Sequence, residues 1–375
     1  MMTEPYDAVV IGAGPAGLAS AACLRHRGVE APVLERDSAV APAWRSHYRR
    51  LRLHTNRRLS GLPHLPIPRD AGRYPRRDDV VAYLERYASE HAIEPRFETE
   101  VVRVCRSDGL WRVVHREGSL RTRTVVVATG FTDRPNLVRW PGDDSFPGRV
   151  LHSSEYRTGE PFAGRSVLVV GFGNSAGEIA LDLVEHGAHA DLSVRSPVNI
   201  LPRQLLGIPI LALAIPLSVL PPRLADAVSA PLLRLVVGSY DRLGLRKSRK
   251  GPLRQIEEDR RIPLIDVGTV ELLRTGGAEV MGAIDRIDGA TVHFSDGSTG
   301  SYDSIVAATG YRPSFDRFLE CSDRVTDDTG VPRKSGRPTS LPGLYFCGFY
   351  VSPTGMLREF GIEARRIADH IAHQL

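Results

Sequence analysis

The chain opens on a nearly unbroken apolar run, YDAVVI at residues 6–11, followed at once by GAGPAG and then LASAACLRHRG. A short continuous run of apolar, β-branched-rich residues predicts a strand buried on both faces, as in a parallel sheet. The stretch after the glycines predicts a helix that stops at Gly28, and APVLE predicts a second strand, completing a βαβ unit. A basic, loop-rich stretch follows, WRSHYRRLRLHTNRRLSGLPHLPIP. RRDDVVAYLERYASEH is apolar at helical spacing, with Asp78 or Asp79 as its expected cap. RFETEVVRVCRS, LWRVVHRE and RTRTVVVATG predict a meander that returns to the sheet.

The pattern then begins again. RSVLVV predicts a strand, GFGNSAGE a glycine turn, IALDLVEHG a helix and ADLSVRS a strand. ATVHFSDGSTGSYDSIVAATGY predicts a hairpin-like return, and the tail from residue 343 a strand, a loop and a long amphipathic helix. Between the two βαβ units lies FPGRVLHSSEY, residues 146–156, with the pattern of neither helix nor strand. Each unit is followed by a strand ending in Ala-Thr-Gly, residues 128–130 and 308–310. The expected fold is α/β with two Rossmann-like dinucleotide-binding domains, the second inserted into the first because the tail needs a sheet to rejoin. The expected boundaries are 1–158 with 305–375 for the first and 159–304 for the second, with an apolar insertion at about 199–262.

Composition narrows the partners. A net charge of +5 over 375 residues, without massed basic runs, fits anionic small molecules better than nucleic acid. The four cysteines, at 23, 105, 321 and 347, form no C-x-x-C pair and no metal-ligand spacing, which argues against a disulfide scaffold, a metal site and a dithiol reductase. The N-terminus lacks the pattern of a secretory signal, so a cytoplasmic protein is expected. The apolar segment LLGIPILALAIPLSVLPP, residues 205–222, is interrupted by prolines and short of the ~20 residues a spanning helix needs. It reads as a buried or pocket-lining helical region, with peripheral membrane contact as the alternative; homo-oligomerisation stays open.

The candidate chemistry sits on the two glycine turns. Gly12, Gly14 and Gly17 follow a strand and open a helix: the first permits the tight turn, the second close approach of a pyrophosphate, the third close helix–strand packing. Pro15 and Ala16 begin the helix whose free N–H groups face that phosphate, and Glu35, beside Arg36, ends the second strand where a carboxylate can accept from both ribose hydroxyls. The second turn has Gly171, Gly173 and Ala176, with Asn174 and Ser175 opening its helix. Its second strand ends in Arg195 and Ser196, where a guanidinium can grip a 2′-phosphate bidentately. The acidic first site suits FAD and the basic second site NADPH, with hydride passing between them. Ala128, Thr129, Gly130 and their counterparts Ala308, Thr309, Gly310, with Tyr311, complete the expected cofactor contacts.

FPGRVLHSSEY also resembles F-x-G-x-x-x-H-x-x-x-Y/F, the identifying motif of the flavin-containing monooxygenases, and lies where that family carries it. YRRLRLH, YPRRDDVVAYLERYA, VRSPVNILPRQLLG, IPLIDVGTVELLRTG, ATGYRPSF and GLYFCGF extend the likeness, closest to the YUCCA-type branch, over nearly the whole chain. The resemblance implies that Phe146, Gly148, His152 and Tyr156 shape the junction of the FAD and NADPH domains, by hydrogen bonds across it or as hinge packing. Tyr156 is followed by Arg157, whereas the related Baeyer–Villiger enzymes end their version in Trp-Pro. The likeness implies that Trp44 and Arg45 lie against the flavin nucleotide, that Val101 contacts adenine through its backbone, and that Gly348 begins the return toward the flavin's pyrimidine edge. Asn56, in a Thr-Asn dipeptide, resembles the residue that faces the flavin–oxygen adduct in N- and S-oxygenating members; an Asx-turn former is the competing reading.

The implied activity is that of an NADPH- and O2-dependent flavoprotein monooxygenase. Its flavin C4a-(hydro)peroxide would pass one oxygen to a small organic substrate, either an N or S nucleophile or a keto acid or other carbonyl. The insertion is the candidate substrate channel. An NADPH-dependent flavoprotein reductase or oxidase, a Baeyer–Villiger-type enzyme and a redox-sensing nucleotide binder are the alternatives.

Overall fold

The computed structural model describes residues 4–375. Contacts divide it into two compact units: residues up to 46, 56–134 and 311–375 form one, and 47–55 with 135–310 form the other. A short strap, 47–55, thus belongs with the second unit.

In the first unit the predicted strand Tyr6–Ile11 lies at the heart of a six-stranded sheet, with Ala8, Val9 and Val10 wholly buried. It pairs in parallel with Val33–Leu34 on one side and Gly118–Val127 on the other. Val101–Ser107, Leu110–His115 and Gly118–Val127 form the expected antiparallel meander, and Leu344–Phe346 returns to pair with Gly118–Val127. Helix Pro15–His26 buries every residue from Ala16 to Leu24, which is why its sequence is small and apolar all round rather than striped. Helix Arg77–Glu90 has Arg76 as its N-cap and so starts two or three residues earlier than a cap at Asp78 or Asp79 would place it. Asp79 occupies its third position and reaches back to accept from the Arg76 N–H at 2.8 Å, so it caps from inside the helix.

The second unit carries a five-stranded parallel sheet in the order Val280–Met281, His189–Ser193, Ser166–Val170, Ser304–Ala307, Arg149–His152. The last of these corrects the reading of residues 146–156 as patternless, because Arg149–His152 is an edge strand. Its outer residues are exposed and its inner pair is Leu151 and a buried histidine, so the apolar signature is reduced to one residue. The predicted hairpin is present as Thr291–Phe294 paired with Thr299–Ser301.

The insertion holds helices Ile210–Leu217, Pro222–Val237 and Pro252–Asp259. The first, within the apolar segment 205–222, buries Leu211 alone rather than the whole of its apolar surface, and the second buries only Ala225, Asp226 and Val237. Prolines at 216 and 231 inside these helices remove backbone donors, and no helix among the described residues is long and apolar enough to cross a membrane.

Candidate functional site

The two glycine turns repeat one geometry. Gly12 (φ 106°) and Gly171 (φ 123°) both sit in the left-handed half of backbone space, and a Cβ on either would lie 2.7 Å from the carbonyl oxygen of Ala128 or Ala308. Glycine is therefore demanded twice over at each turn, by backbone angle and by close approach. Gly14 and Gly173 differ. Each begins its helix from extended backbone, and a Cβ on either would meet nothing within 4 Å. The protein itself gives no reason for glycine at these two positions; an oxygen-rich ligand lying against the backbone and the helix N-terminus does. The third positions diverge: a Cβ on Gly17 would fall 1.8 Å from the Gly12 oxygen, while the second turn holds a buried Ala176.

The strand ends beyond the turns carry opposite charge. Glu35 is buried, and its two oxygens accept from the Ala13 N–H at 2.7 Å and the Asp37 N–H at 3.0 Å. Burial pushes its carboxyl up, against the two N–H bonds that favour the charge. A carboxylate has about four acceptor positions, so two remain for ligand hydroxyls. Arg36 beside it pairs with Asp133 at 2.7 Å, and Asp133 also accepts from the Ser314 hydroxyl. At the equivalent place in the second unit, Arg195 is exposed and its guanidinium has no ion pair or hydrogen bond among the described residues. Arg246, from the insertion, donates to the Arg195 carbonyl at 3.1 Å and brings a second cation beside it. Sequence reading missed both Asp133 and Arg246; the first lies three residues past Gly130, the second inside RKSRK, where nothing marks one cation from the next.

The other expected contacts have these places. Trp44, half-buried, and Arg45 lie on the short helix Pro42–Ser46, and Arg45 is held by the Val40 carbonyl at 2.8 Å and by Glu85. Val101 opens its strand opposite His115. Thr129 and Gly130 (φ 77°) leave the sheet after Ala128. In the second unit Asn174 is engaged by the protein, its side-chain oxygen accepting from the Ile265 N–H at 2.7 Å, while Ser175 and Ser196 are half-buried. Thr309 donates to the Asn136 carbonyl at 2.6 Å, and Gly310 (φ 82°) precedes Tyr311 at the return to the first unit. Asn56 is the N-cap of a short 3-10 turn, Arg57–Leu59. Its side-chain oxygen accepts from the Arg58 N–H at 2.9 Å, which is the turn-forming arrangement.

The four motif residues are fixed inside the second unit. Phe146 packs with Leu168, Ile305 and Phe294. Gly148 allows the chain to pass Asp303, whose carbonyl oxygen would be 2.2 Å from a Cβ. His152 contacts the Gly310 carbonyl through Nε2 at 3.1 Å, and burial lowers its pKa. The buried Tyr156 donates to Asp182 at 2.7 Å, and Asp182 also accepts from the Gly159 N–H at 2.9 Å. These bonds tie the motif to the loops and helix of the second unit.

Gly348 (φ 94°) lies against helix Pro15–His26, with Ala16 Cβ 2.9 Å from where its own Cβ would be. Its N–H donates to Glu363, a buried carboxyl whose other oxygen has no hydrogen-bond partner and which burial pushes up to about 7. Because the folded value lies above the unfolded one, this group favours folding at low pH, and that contribution is lost as pH rises through about 7. Glu363→Gln is therefore expected to stabilise the flavin-free protein at about pH 8 by on the order of 3 kcal/mol, shrinking toward zero near pH 5. Thermal melts of parent and variant at the two pH values check it; a gap independent of pH contradicts it.

Comparison with known proteins fits this geometry. A family model described as pyridine nucleotide-disulphide oxidoreductase matches residues 9–201. Indole-3-pyruvate monooxygenase YUCCA1 of Oryza sativa subsp. japonica is 40% identical over 350 residues, covering 91% of this chain and 86% of that one. Indole-3-pyruvate monooxygenase YUCCA6 of Arabidopsis thaliana is 37% identical over 375 residues, covering 97% and 89%. The chain belongs to the YUCCA-type flavin monooxygenases. Among solved structures, a flavin-containing monooxygenase from Stenotrophomonas maltophilia shares the fold, with a TM-score of 0.76, 24% identity and 99% coverage of both chains. An open cyclohexanone monooxygenase shares it at a TM-score of 0.73, 20% identity and coverage of 99% and 88%. This YUCCA-type chain is thus a flavin-dependent monooxygenase with two dinucleotide-binding folds. All four cysteines are free, and burial pushes the Cys23 thiol up to about 12.

Proposed function

We propose that the protein is an FAD- and NADPH-dependent monooxygenase acting on an α-keto acid with an aryl side chain. The observation that carries the coenzyme reading is the pair of matching glycine turns backed by opposite charges, a buried Glu35 at one and an unpaired Arg195 at the other. Bound flavin supplies the two-electron exchange with the nicotinamide and the activation of oxygen. The chain's residues bind and orient. Gly14 and the helix N-terminus receive the FAD pyrophosphate, and Glu35 takes the ribose hydroxyls with its remaining acceptor positions. Gly173 and Arg195, aided by Arg246, receive NADPH by its pyrophosphate and 2′-phosphate. No protein nucleophile or metal is required.

The keto-acid reading rests on the relatives, which are named for indole-3-pyruvate. Asn56 gives its side-chain oxygen to the Arg58 N–H and keeps its amide N–H groups as donors, which does not choose between the substrate classes. In the proposed reaction one oxygen atom of O2 enters the new carboxyl group and the other leaves as water. Carbon dioxide is released and NADPH gives up two electrons.

Turnover with isotopically labelled oxygen tests this. An arylpyruvate is expected to yield an arylacetate carrying one labelled atom, with NADPH and product in equal amounts. If all NADPH consumed appears as hydrogen peroxide, with arylpyruvates and with amines or thioethers alike, the protein is an oxidase and the proposal fails.

A further inference from the structure

The insertion exposes an apolar face that none of the described residues covers. Leu224, Val228, Leu232 and Leu235 are all exposed on helix Pro222–Val237. At helical spacing they fall within one stripe under about 100° wide. Leu235 is 82% exposed, and Val219, just before the helix, 85%. In the same insertion a tight hairpin pairs Gln204–Leu205 with Ile208–Pro209. Its tip is Leu206, 95% exposed and held at φ 46°, where an L-residue is strained. A leucine standing in solvent at a strained tip, and a striped helix in the same insertion, are together more than the scattered apolar exposure of an ordinary surface.

Charge identifies what this face meets. Residues 199–262 hold eleven Lys and Arg against five Asp and Glu, a net +6, while the whole chain carries +5. The basic excess of the protein is therefore concentrated here. Between 203 and 240 there are three arginines, Arg203, Arg223 and Arg234, and one carboxylate, Asp226. Asp226 is buried, accepting from the Leu253 and Arg254 N–H groups at 2.9 and 3.1 Å, so helix Pro222–Val237 itself exposes no acid. Arg223 and Arg234 project from the same flank of the apolar stripe. A second copy packed on this face across a two-fold axis would set these arginines near their own counterparts without acids to offset them. An anionic lipid surface matches both the apolar stripe and the cationic flank.

We propose that helix Pro222–Val237 and the Leu206 hairpin form a peripheral docking surface for anionic membranes, lying in the interface rather than crossing it. The test uses the full flavin-loaded protein and vesicles of phosphatidylcholine alone or with about one third phosphatidylserine. At low salt the anionic vesicles are expected to pellet the protein at least about tenfold better than neutral ones. Since each cation near such a surface is worth about fivefold in partitioning, Arg223→Ala with Arg234→Ala should cost roughly 25-fold. Leu206→Trp places a reporter at an exposed tip; its emission should shift to the blue and be quenched by brominated acyl chains on anionic vesicles only. Leu224→Asp with Leu235→Asp should abolish pelleting, with thermal melts checking the fold. Absence of pelleting and of a Leu206→Trp shift on anionic vesicles overturns the proposal. If, in addition, the double aspartate variant turns a dimer into a monomer in solution, the face is assigned to a second copy instead.

Discussion

Replacing Gly14 with alanine is expected to leave a folded but colourless protein. A Cβ there would meet no protein atom within 4 Å, and the residue's φ of −78° is one any amino acid adopts. The substitution therefore leaves the melting temperature of the flavin-free chain nearly unchanged, while a methyl group stands where the pyrophosphate is proposed to lie. Flavin retention should fall by at least about tenfold, or about 1.4 kcal/mol. Gly17→Ala is the contrasting case. Its Cβ would fall 1.8 Å from the Gly12 oxygen, so the strand and helix must part, at a cost of about 2–4 kcal/mol to folding itself. Ala176, buried in the second turn, shows that this place in the motif can carry a methyl group. Flavin content and thermal melts of the two variants separate ligand contact from architecture. Parental flavin content in Gly14→Ala would remove the phosphate-cradle argument.

Arg195→Ala is expected to erase most of the preference for NADPH over NADH. The guanidinium is exposed and unpaired, so its loss should move stability by no more than about 0.5 kcal/mol. A charge-assisted bidentate contact with a phosphate is worth about 1.5–3 kcal/mol, which is roughly 10- to 150-fold in the KM for NADPH, with NADH unaffected. Arg246→Ala should act in the same direction and more weakly, because Arg246 is placed through the Arg195 carbonyl. Flavin reduction by each coenzyme reads both variants; an unchanged coenzyme preference in Arg195→Ala refutes the 2′-phosphate assignment.

What the sequence made legible was what local geometry forces. Gly12 and Gly171 are required by backbone angle and by a carbonyl 2.7 Å away, so the requirement is written at the position itself. Glu35 and Arg195 were legible because a strand end follows its turn at a nearly fixed distance along the chain. The supports were not, since they come from far away. Glu363 holds Gly348 from 15 residues on, and Asp182 holds Tyr156 across 26. Asn56 shows a different limit. Its residue type suits both a turn cap and a contact to an oxygen adduct, and only the distance to the Arg58 N–H tells that its oxygen serves the turn. The strand Arg149–His152 was hidden by composition, because its buried inward partner to Leu151 is a histidine.

The strap at 47–55 constrains how this chain can be divided. Asn136 is hydrogen-bonded to Thr309 and Gly310, so residues 135 and 310 look like the natural ends of a cassette that could be excised or transplanted. That cassette would lack Arg50 and His54. Glu178, almost wholly inaccessible, would lose the imidazole 2.5 Å away and the guanidinium at 3.8 Å. Tyr48, stacked edge-on to Tyr156, would leave a void. A graft that carries 47–55 along, tethered through a linker, should fold where the contiguous piece fails, which makes a nine-residue fragment the entry requirement for any exchange of this half between relatives.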